Sequence, residues 1–278
     1  MYHSNPTSRM IFPAELVDSV IDYNHDDLKT LINCSLVNKQ WTPSSRFHLF
    51  SRVKISHTNA REFIQLLTSP YCTFLVVLYG LDVYFVPGSQ RWFNEFSQRL
   101  FVLDKTTITS LGISGSRNTP IRDEARQALA MFSNQVKDLS FGPVLFHKFA
   151  DFAALICAFH TLQSLLCVAT FQDAEPPQGL SFAGPIRSLT LSAPSIKLVL
   201  EFLQQSTLPT VTSLSLSHLT VEDYPAFSRY LQMPSSILQS LVMTMDINFS
   251  GVALGPSLFI LFIEISSNSG AYSASLKM

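Results

Sequence analysis

Between residues 108 and 243 one short phrase returns six times: an aliphatic residue, two variable positions, Leu, one variable position and another apolar residue. It reads ITSLGI (108–113), VKDLSF (136–141), LQSLLC (162–167), IRSLTL (186–191), VTSLSL (211–216) and LQSLVM (238–243). The central leucines are Leu111, Leu139, Leu165, Leu189, Leu214 and Leu241, so successive copies lie 28, 26, 24, 25 and 27 residues apart. An interval of that size holds one strand and one return element, and few folds can use it. A weaker copy precedes the series, LYGLDV (78–83), and another is expected around Ile260, Ile263 and Ile265.

The intervals carry apolar residues at helical spacing. Ile121, Ala125, Ala128, Leu129 and Phe132 follow Thr119-Pro120, a good helix opening. Phe149, Phe152, Ala153, Ile156 and Phe159 form a second stripe, Ile196, Val199, Leu200 and Leu203 a third, and Phe227, Tyr230 and Leu231 a shorter one. Upstream, Trp92, Phe93, Phe96 and Leu100 do the same. Strand, turn and helix in repetition predict an α/β fold: a right-handed parallel-strand solenoid, leucine-rich-repeat-like in its period. The repeats lack the Asn of the commoner consensus and vary in length. A doubly wound α/β sheet also alternates strands with helices, but it would call for a Gly-rich phosphate turn after a strand, and there is none.

Strand alternation assigns the two faces. The leading aliphatic, the central Leu and the last apolar residue of each phrase meet the helices, and the residues between them point to the concave face. That row is Ser110 and Gly112, Asp138 and Ser140, Ser164 and Leu166, Ser188 and Thr190, Ser213 and Ser215, Ser240 and Val242. It is small, mildly polar and nearly uncharged. The bland reading is a solvated strand face. The sharper one makes Ser110, Asp138, Ser140, Ser164, Ser188, Thr190, Ser213 and Ser215 a hydrogen-bonding floor for a protein substrate, with loops such as QDAEPPQG (172–179) adding specificity.

The first fifty residues follow another rule. Pro13 is predicted to open a helix, with Leu16, Val17, Val20 and Ile21 as its stripe. NHDD breaks the pattern, and Asp26 is expected to cap a second helix carrying Leu28, Leu31, Ile32, Ser35 and Leu36, widened by Val37. Thr42-Pro43 then starts a short third helix offering Phe47 and Phe50. Three such helices present more apolar positions than one small core can absorb, which predicts an external helical partner.

Residues 12–56, FPAELVDSVIDYNHDDLKTLINCSLVNKQWTPSSRFHLFSRVKIS, resemble an F-box, in particular the variety abundant in filamentous fungi. The family's Leu-Pro-x-Glu-Leu opening corresponds to Phe12-Pro13-Ala14-Glu15-Leu16, with Phe in place of Leu. Its Cys-Ser-Leu-Val-x-Lys-x-Trp stands here as Cys34 to Trp41, with Asn38 where a small residue is common. Its Ser-Arg-x-His-Leu-Phe stands as Ser45 to Phe50. The resemblance implies docking on a Skp-type adaptor and, through it, a cullin–RING ubiquitin ligase. By position it implies Phe12, Pro13, Leu16, Val17, Ile21, Leu28, Leu31, Leu36, Val37 and Trp41 in or beside the adaptor interface, where large apolar anchors dominate binding. For each single residue the alternative is the unit's internal core. The organisation expected is a flexible tail (1–11), an F-box (12–57), the solenoid (58–265) and a polar, disordered tail (266–278).

Composition narrows the functional classes. Charged residues are 14% against a usual quarter, hydrophobic residues are 47%, and Phe alone occurs 22 times. A chain this apolar must hide its surface in its own core or against partners. The formal net charge of −1 and the lack of Lys/Arg clusters argue against nucleic acid or an anionic membrane. The opening MYHSNPTSRM has no apolar signal-peptide region, and TFLVVLYGLDVYFV (73–86) and SLFILFIEI (257–265) are shorter than a bilayer span of about 20 residues. Both are expected to be buried strands, in a cytoplasmic or nuclear protein. Four dispersed cysteines, Cys34, Cys72, Cys157 and Cys167, read as buried thiols rather than a disulfide frame. The last strand ends without an amphipathic cap, so either its end is exposed or further repeats follow.

Catalysis finds no support. GISGS (112–116) approaches a nucleophile elbow but lacks the Gly two residues after the Ser. There is no P-loop, HExxH or dinucleotide fingerprint, and the seven histidines are scattered, so neither a metal nor a cofactor is expected. Two non-enzymatic functions remain: the substrate-receptor subunit of a cullin–RING ligase, or a leucine-rich-repeat scaffold acting outside the ligase.

Overall fold

Each leucine of the repeated phrase sits opposite the next in a continuous parallel ladder. In the computed structural model, Leu81, Leu111, Leu139, Leu165, Leu189, Leu214 and Leu241 are consecutive register partners. The structure describes residues 13–84, 90–97, 99–103, 107–115, 120–175, 177, 179–182, 184–205, 211–233, 237–247, 257–265 and 272–277. Phe12 lies outside the described residues, as do 1–11 and part of the 172–179 loop.

The chain opens with three helices, α1 (Ala14–Tyr23), α2 (Leu28–Val37) and α3 (Thr42–Ser51). Then come β1 (Arg52–Ile55), α4 (Ala60–Leu67), β2 (Gly80–Tyr84), α5 (Gln90–Ser97), β3 (Ser110–Ser114), α6 (Asp123–Ala130) and β4 (Asp138–Phe141). A short β5 (Leu145–Lys148) precedes α7 (Phe149–Ala158) and β6 (Ser164–Cys167), and β7 (Thr170–Asp173) precedes β8 (Ser188–Ser192). The remainder is α8 (Ile196–Gln204), β9 (Ser213–Leu219), α9 (Tyr224–Leu231), β10 (Ser240–Ile247), β11 (Ser257–Ile265) and β12 (Tyr272–Lys277). Strands β1, β2, β3, β4, β6, β8, β9 and β10 form one parallel sheet in chain order, and β5 pairs with β7 beside it. Right-handed crossovers, the rule for parallel strands joined in chain order, would put the return helices on one side of the sheet. Consistent with this, α5 packs on α6, α6 on α7 and α8 on α9.

The inward triplet of every phrase is buried. Its leading residues Ile108, Val136, Leu162, Ile186, Val211 and Leu238 and its last residues Ile113, Phe141, Cys167, Leu191, Leu216 and Met243 join the leucine ladder in one core. Helix stripes close that core from the other side. Between β4, β5, β7 and α7 it becomes aromatic: Phe152 meets Phe141, Phe146 and Phe171 with ring centroids at 5.4, 5.3 and 5.4 Å, all T-shaped. This geometry sets a positive ring edge against a negative face.

Several sequence expectations change. The copy around Ile260, Ile263 and Ile265 is not a further parallel strand: β11 runs antiparallel to β10, with Leu241 opposite Ile263. Only residues 248–256 separate the two strands, and a parallel return takes a dozen or more residues. Within the polar end, Tyr272–Lys277 forms β12, antiparallel to β11, where a structureless tail is expected. Of the described residues in TFLVVLYGLDVYFV (73–84), Gly80–Tyr84 is strand, and the turn before it buries Phe74 and Leu78 while leaving Val76 exposed. RVKI (52–55) is itself the first strand. Helix α4 was not foreseen, and α6 begins at Asp123 because Pro120 is engaged in a bridge with Leu145. Pro13 precedes α1 as its N-cap and accepts from the Leu16 and Val17 amides. Asp27, not Asp26, caps α2, and the hydroxyl of Thr42, the first residue of α3, donates to the Ser35 and Asn38 carbonyls. All four cysteines are free thiols. No helix among the described residues is long and apolar enough to cross a membrane.

Candidate functional site

The three-helix unit divides its apolar residues between a very small core and an open surface. On α1 the stripe splits: Val17 and Ile21, one turn apart, point inward, while Leu16, Val20 and Tyr23 point out at i, i+4 and i+7. On α2, Leu31 and Cys34 are buried and Leu28, Ile32 and Leu36 form an outward row at i, i+4 and i+8. Leu36 is 80% exposed and Val37 67%. The core proper is Val17, Ile21 and Leu31, with Trp41 and Leu49 packed half-buried against it. A groove of about 490 Å³ lies between α1 and Trp41, lined chiefly by Leu16, Val17, Val20, Tyr23 and Trp41.

The residues expected at an adaptor interface therefore separate into two groups. Pro13, Leu16, Leu28, Leu36 and Val37 are exposed, and Trp41 is half-exposed. Val17, Ile21 and Leu31 belong to the core beneath, because three short helices need those inward positions to hold together at all. Val20, Tyr23 and Ile32 were left out of the expected interface, yet they complete the exposed rows. Their spacing from Leu16 and Leu28 is the signal that finds them.

Polar contacts fix this unit's shape. The Thr30 amide and hydroxyl donate to the Asp27 carboxylate at 3.1 and 2.7 Å. The hydroxyl first, then the amide, hold that carboxyl below its ordinary value. His48 Nε2 on α3 lies 2.7 Å from Asp22 Oδ1 on α1, and Ser44 donates to Asp18, so α3 is fastened to α1 twice. Phe50 stacks on Phe74 at 4.9 Å, and the Tyr79 amide donates to the Ser51 carbonyl, so α3 is continuous with the sheet.

On the open face of the sheet, the expected row is assembled as two ladders. Ser110, Asp138, Ser164, Ser188, Ser213 and Ser240 are successive partners, as are Gly112, Ser140, Leu166, Thr190, Ser215 and Val242. The hydroxyl residues are half-buried, and Asp138 is exposed. At the β1 end the face changes character. Arg52 Nε and Nη2 donate to Asp82 Oδ2 and Oδ1 at 2.7 and 2.8 Å, a bidentate pair with Asp82 only 8% exposed. Gly80 and Gly112 make room for it. A Cβ on Gly80 would lie 2.8 Å from Arg52 Cγ, and one on Gly112 would run into Asp82 Oδ1.

Comparison with family models, curated proteins and solved structures returns no significant match for this chain. Its function has to be read from the residues. Among the described residues no group of three or more His, Cys, Asp or Glu could hold a metal ion. Burial pushes the Cys167 thiol up to about 11 and raises Cys157, the reverse of what activates a nucleophilic thiol.

Proposed function

We propose that this chain is a substrate receptor: its three-helix unit acts as an F-box that docks on a Skp-type adaptor of a cullin–RING ubiquitin ligase. The sheet and its helices then act as a leucine-rich-repeat-like solenoid whose open hydroxyl-lined face holds a target protein. The observation that carries this reading is the outward apolar surface of α1 and α2. Leu16, Val20, Tyr23, Leu28, Ile32, Leu36 and Val37 are exposed on a unit whose core, among the described residues, clusters on Val17, Ile21 and Leu31. Soluble chains rarely expose grouped large apolar side chains except where a partner covers them. The ordered motif from Phe12 to Phe50 supports a helical adaptor as that partner. The chain contributes no chemistry of its own; holding a target beside a ubiquitin-charged enzyme supplies the effective concentration. Such a subunit works in the cytoplasm or nucleus, without nucleic acid, membrane, metal or cofactor.

Co-expression with a Skp-type adaptor tests this directly. The wild-type chain should co-purify with the adaptor, and Leu16→Asp with Leu36→Asp should abolish the complex, since each would place a charge in an apolar interface. Retention of the adaptor by that double variant sinks the F-box reading. Recovery of adaptor without cullin would instead place the chain in a scaffold role outside the ligase.

A further inference from the structure

A second cavity lies on the helical side of the molecule, between α4 and α5. It has a volume of about 460 Å³ and is lined by His57, Arg61, Ile64, Trp92, Phe96 and Arg99, among others. Its walls divide sharply by chemistry. Ile64 and Phe96 are buried and Trp92 is half-buried, so the floor is apolar and aromatic. His57, Arg61 and Arg99 are exposed, and among the described residues no acidic side chain lines the cavity. Neither Arg61 nor Arg99 has an ion-pair or side-chain hydrogen-bond partner among the described residues. Elsewhere Arg52, Arg126 and Arg229 each engage a carboxylate at 2.6–2.8 Å. In a chain with so few charges, two guanidinium groups that share a cavity with an aromatic floor and have no partner among the described residues stand out.

We infer that this cavity binds an acidic peptide segment, seating one large apolar side chain on Trp92 and Phe96 while flanking carboxylates meet Arg61 and Arg99. The charge complementarity selects the occupant. Guanidinium groups pair with carboxylates bidentately, and an aromatic floor favours a leucine or phenylalanine over a polar side chain. A basic or neutral partner would leave both arginines without counter-charge. The site lies on the helical side, apart from both the α1–Trp41 groove and the hydroxyl ladders. It deepens the receptor reading by naming a target class, and rests on that reading only for the fate of the bound protein.

The chain's two tryptophans make the test clean, since Trp41 lines one candidate surface and Trp92 the other. With Trp41→Phe in the full chain, Trp92 emission should change saturably on titration with a short peptide of Glu and Asp around a Leu-Phe pair. The same peptide with Lys in place of the acids should give no saturable change. Arg61→Glu with Arg99→Glu should weaken acidic-peptide binding about tenfold or more, and added salt should weaken the wild-type interaction. Should the reversal variant fail to fold, Arg61→Gln with Arg99→Gln serves, with loss of the salt dependence as its readout. Equal binding of acidic and basic peptides, or unchanged affinity in a folded arginine variant, overturns the inference. With Trp92→Phe, Trp41 reports the adaptor alone. Peptide binding without an adaptor response would sink the receptor reading and leave this site standing, and the converse would do the opposite.

Discussion

The three-helix unit and the sheet region are made from similarly apolar sequence and use it in opposite ways. In the sheet region the repeat puts three apolar residues of every phrase, plus a helix stripe, into one continuous core. In the helical unit a comparable density of Leu, Val and Ile supplies, among the described residues, a core cluster of Val17, Ile21 and Leu31 and leaves at least seven large side chains outside. Apolar content therefore does not measure burial here; periodicity does. A strand sends alternate residues to one side, so a two-residue period fills one face and spares the other. An apolar arc wider than a helix can bury must spill onto the surface.

Substitutions can break this contrast. The largest loss should come from Phe152→Ala, which empties the centre of the aromatic cluster: about 3–5 kcal/mol, measured by urea unfolding. Ile21→Ala in the small core should cost about 2–4 kcal/mol, but hydrogen exchange should show the loss confined to α1–α3. A uniform loss across the β-sheet would show the two regions to be one cooperative unit. Arg52→Ala should cost about 2 kcal/mol by leaving the Asp82 carboxylate buried without its partner, and Gly112→Ala should destabilise in the same direction by displacing that carboxylate. If instead Arg52→Ala melts like wild type, the pair is incidental. Leu36→Ala should change stability by no more than about 0.5 kcal/mol while weakening adaptor capture, the reverse of the Phe152 pattern.

The smallest effect is a matter of pH. The folded-state carboxyl of Asp27 sits below its unfolded value, so its contribution to α2 is present above the unfolded value and lost as pH falls through the folded one. Amide exchange at the start of α2 should quicken over that acid range, and Asp27→Ala should abolish the pH dependence. An unchanged profile in the variant would remove the cap from the account.

The ladder is legible in the sequence because it depends on spacing alone. Leu111 to Leu241 fell into register as predicted, and the alternating Ser, Thr and Asp positions fell on the open face. What could not be seen arose from loops and from competition between neighbours. Asp26 and Asp27 are equally good caps on paper, and only the Thr30 amide decides between them. Which half of the α1 stripe faces inward depends on α3, so Val17 and Ile21 were indistinguishable from Leu16 and Val20. The antiparallel ending was readable in principle, since the interval from Leu241 to Ile263 is shorter than the others and lacks a helical stripe. The Arg52–Asp82 pair joins strands that are thirty residues apart in sequence, beyond the reach of any local pattern.

Because α3 ends at Ser51 and β1 begins at Arg52, no slack separates the three-helix unit from the sheet. Eight parallel strands follow in chain order, and strands repeat about every 4.8 Å, so the far parallel strand stands roughly 34 Å from the first. Distance along this molecule therefore comes in fixed steps. Gaining or losing one unit of some twenty-six residues would shift the far strand by about 4.8 Å and turn it by the twist of one strand step. Duplication of a unit alone could thus lengthen or shorten the span between the three-helix unit and the far end of the parallel sheet.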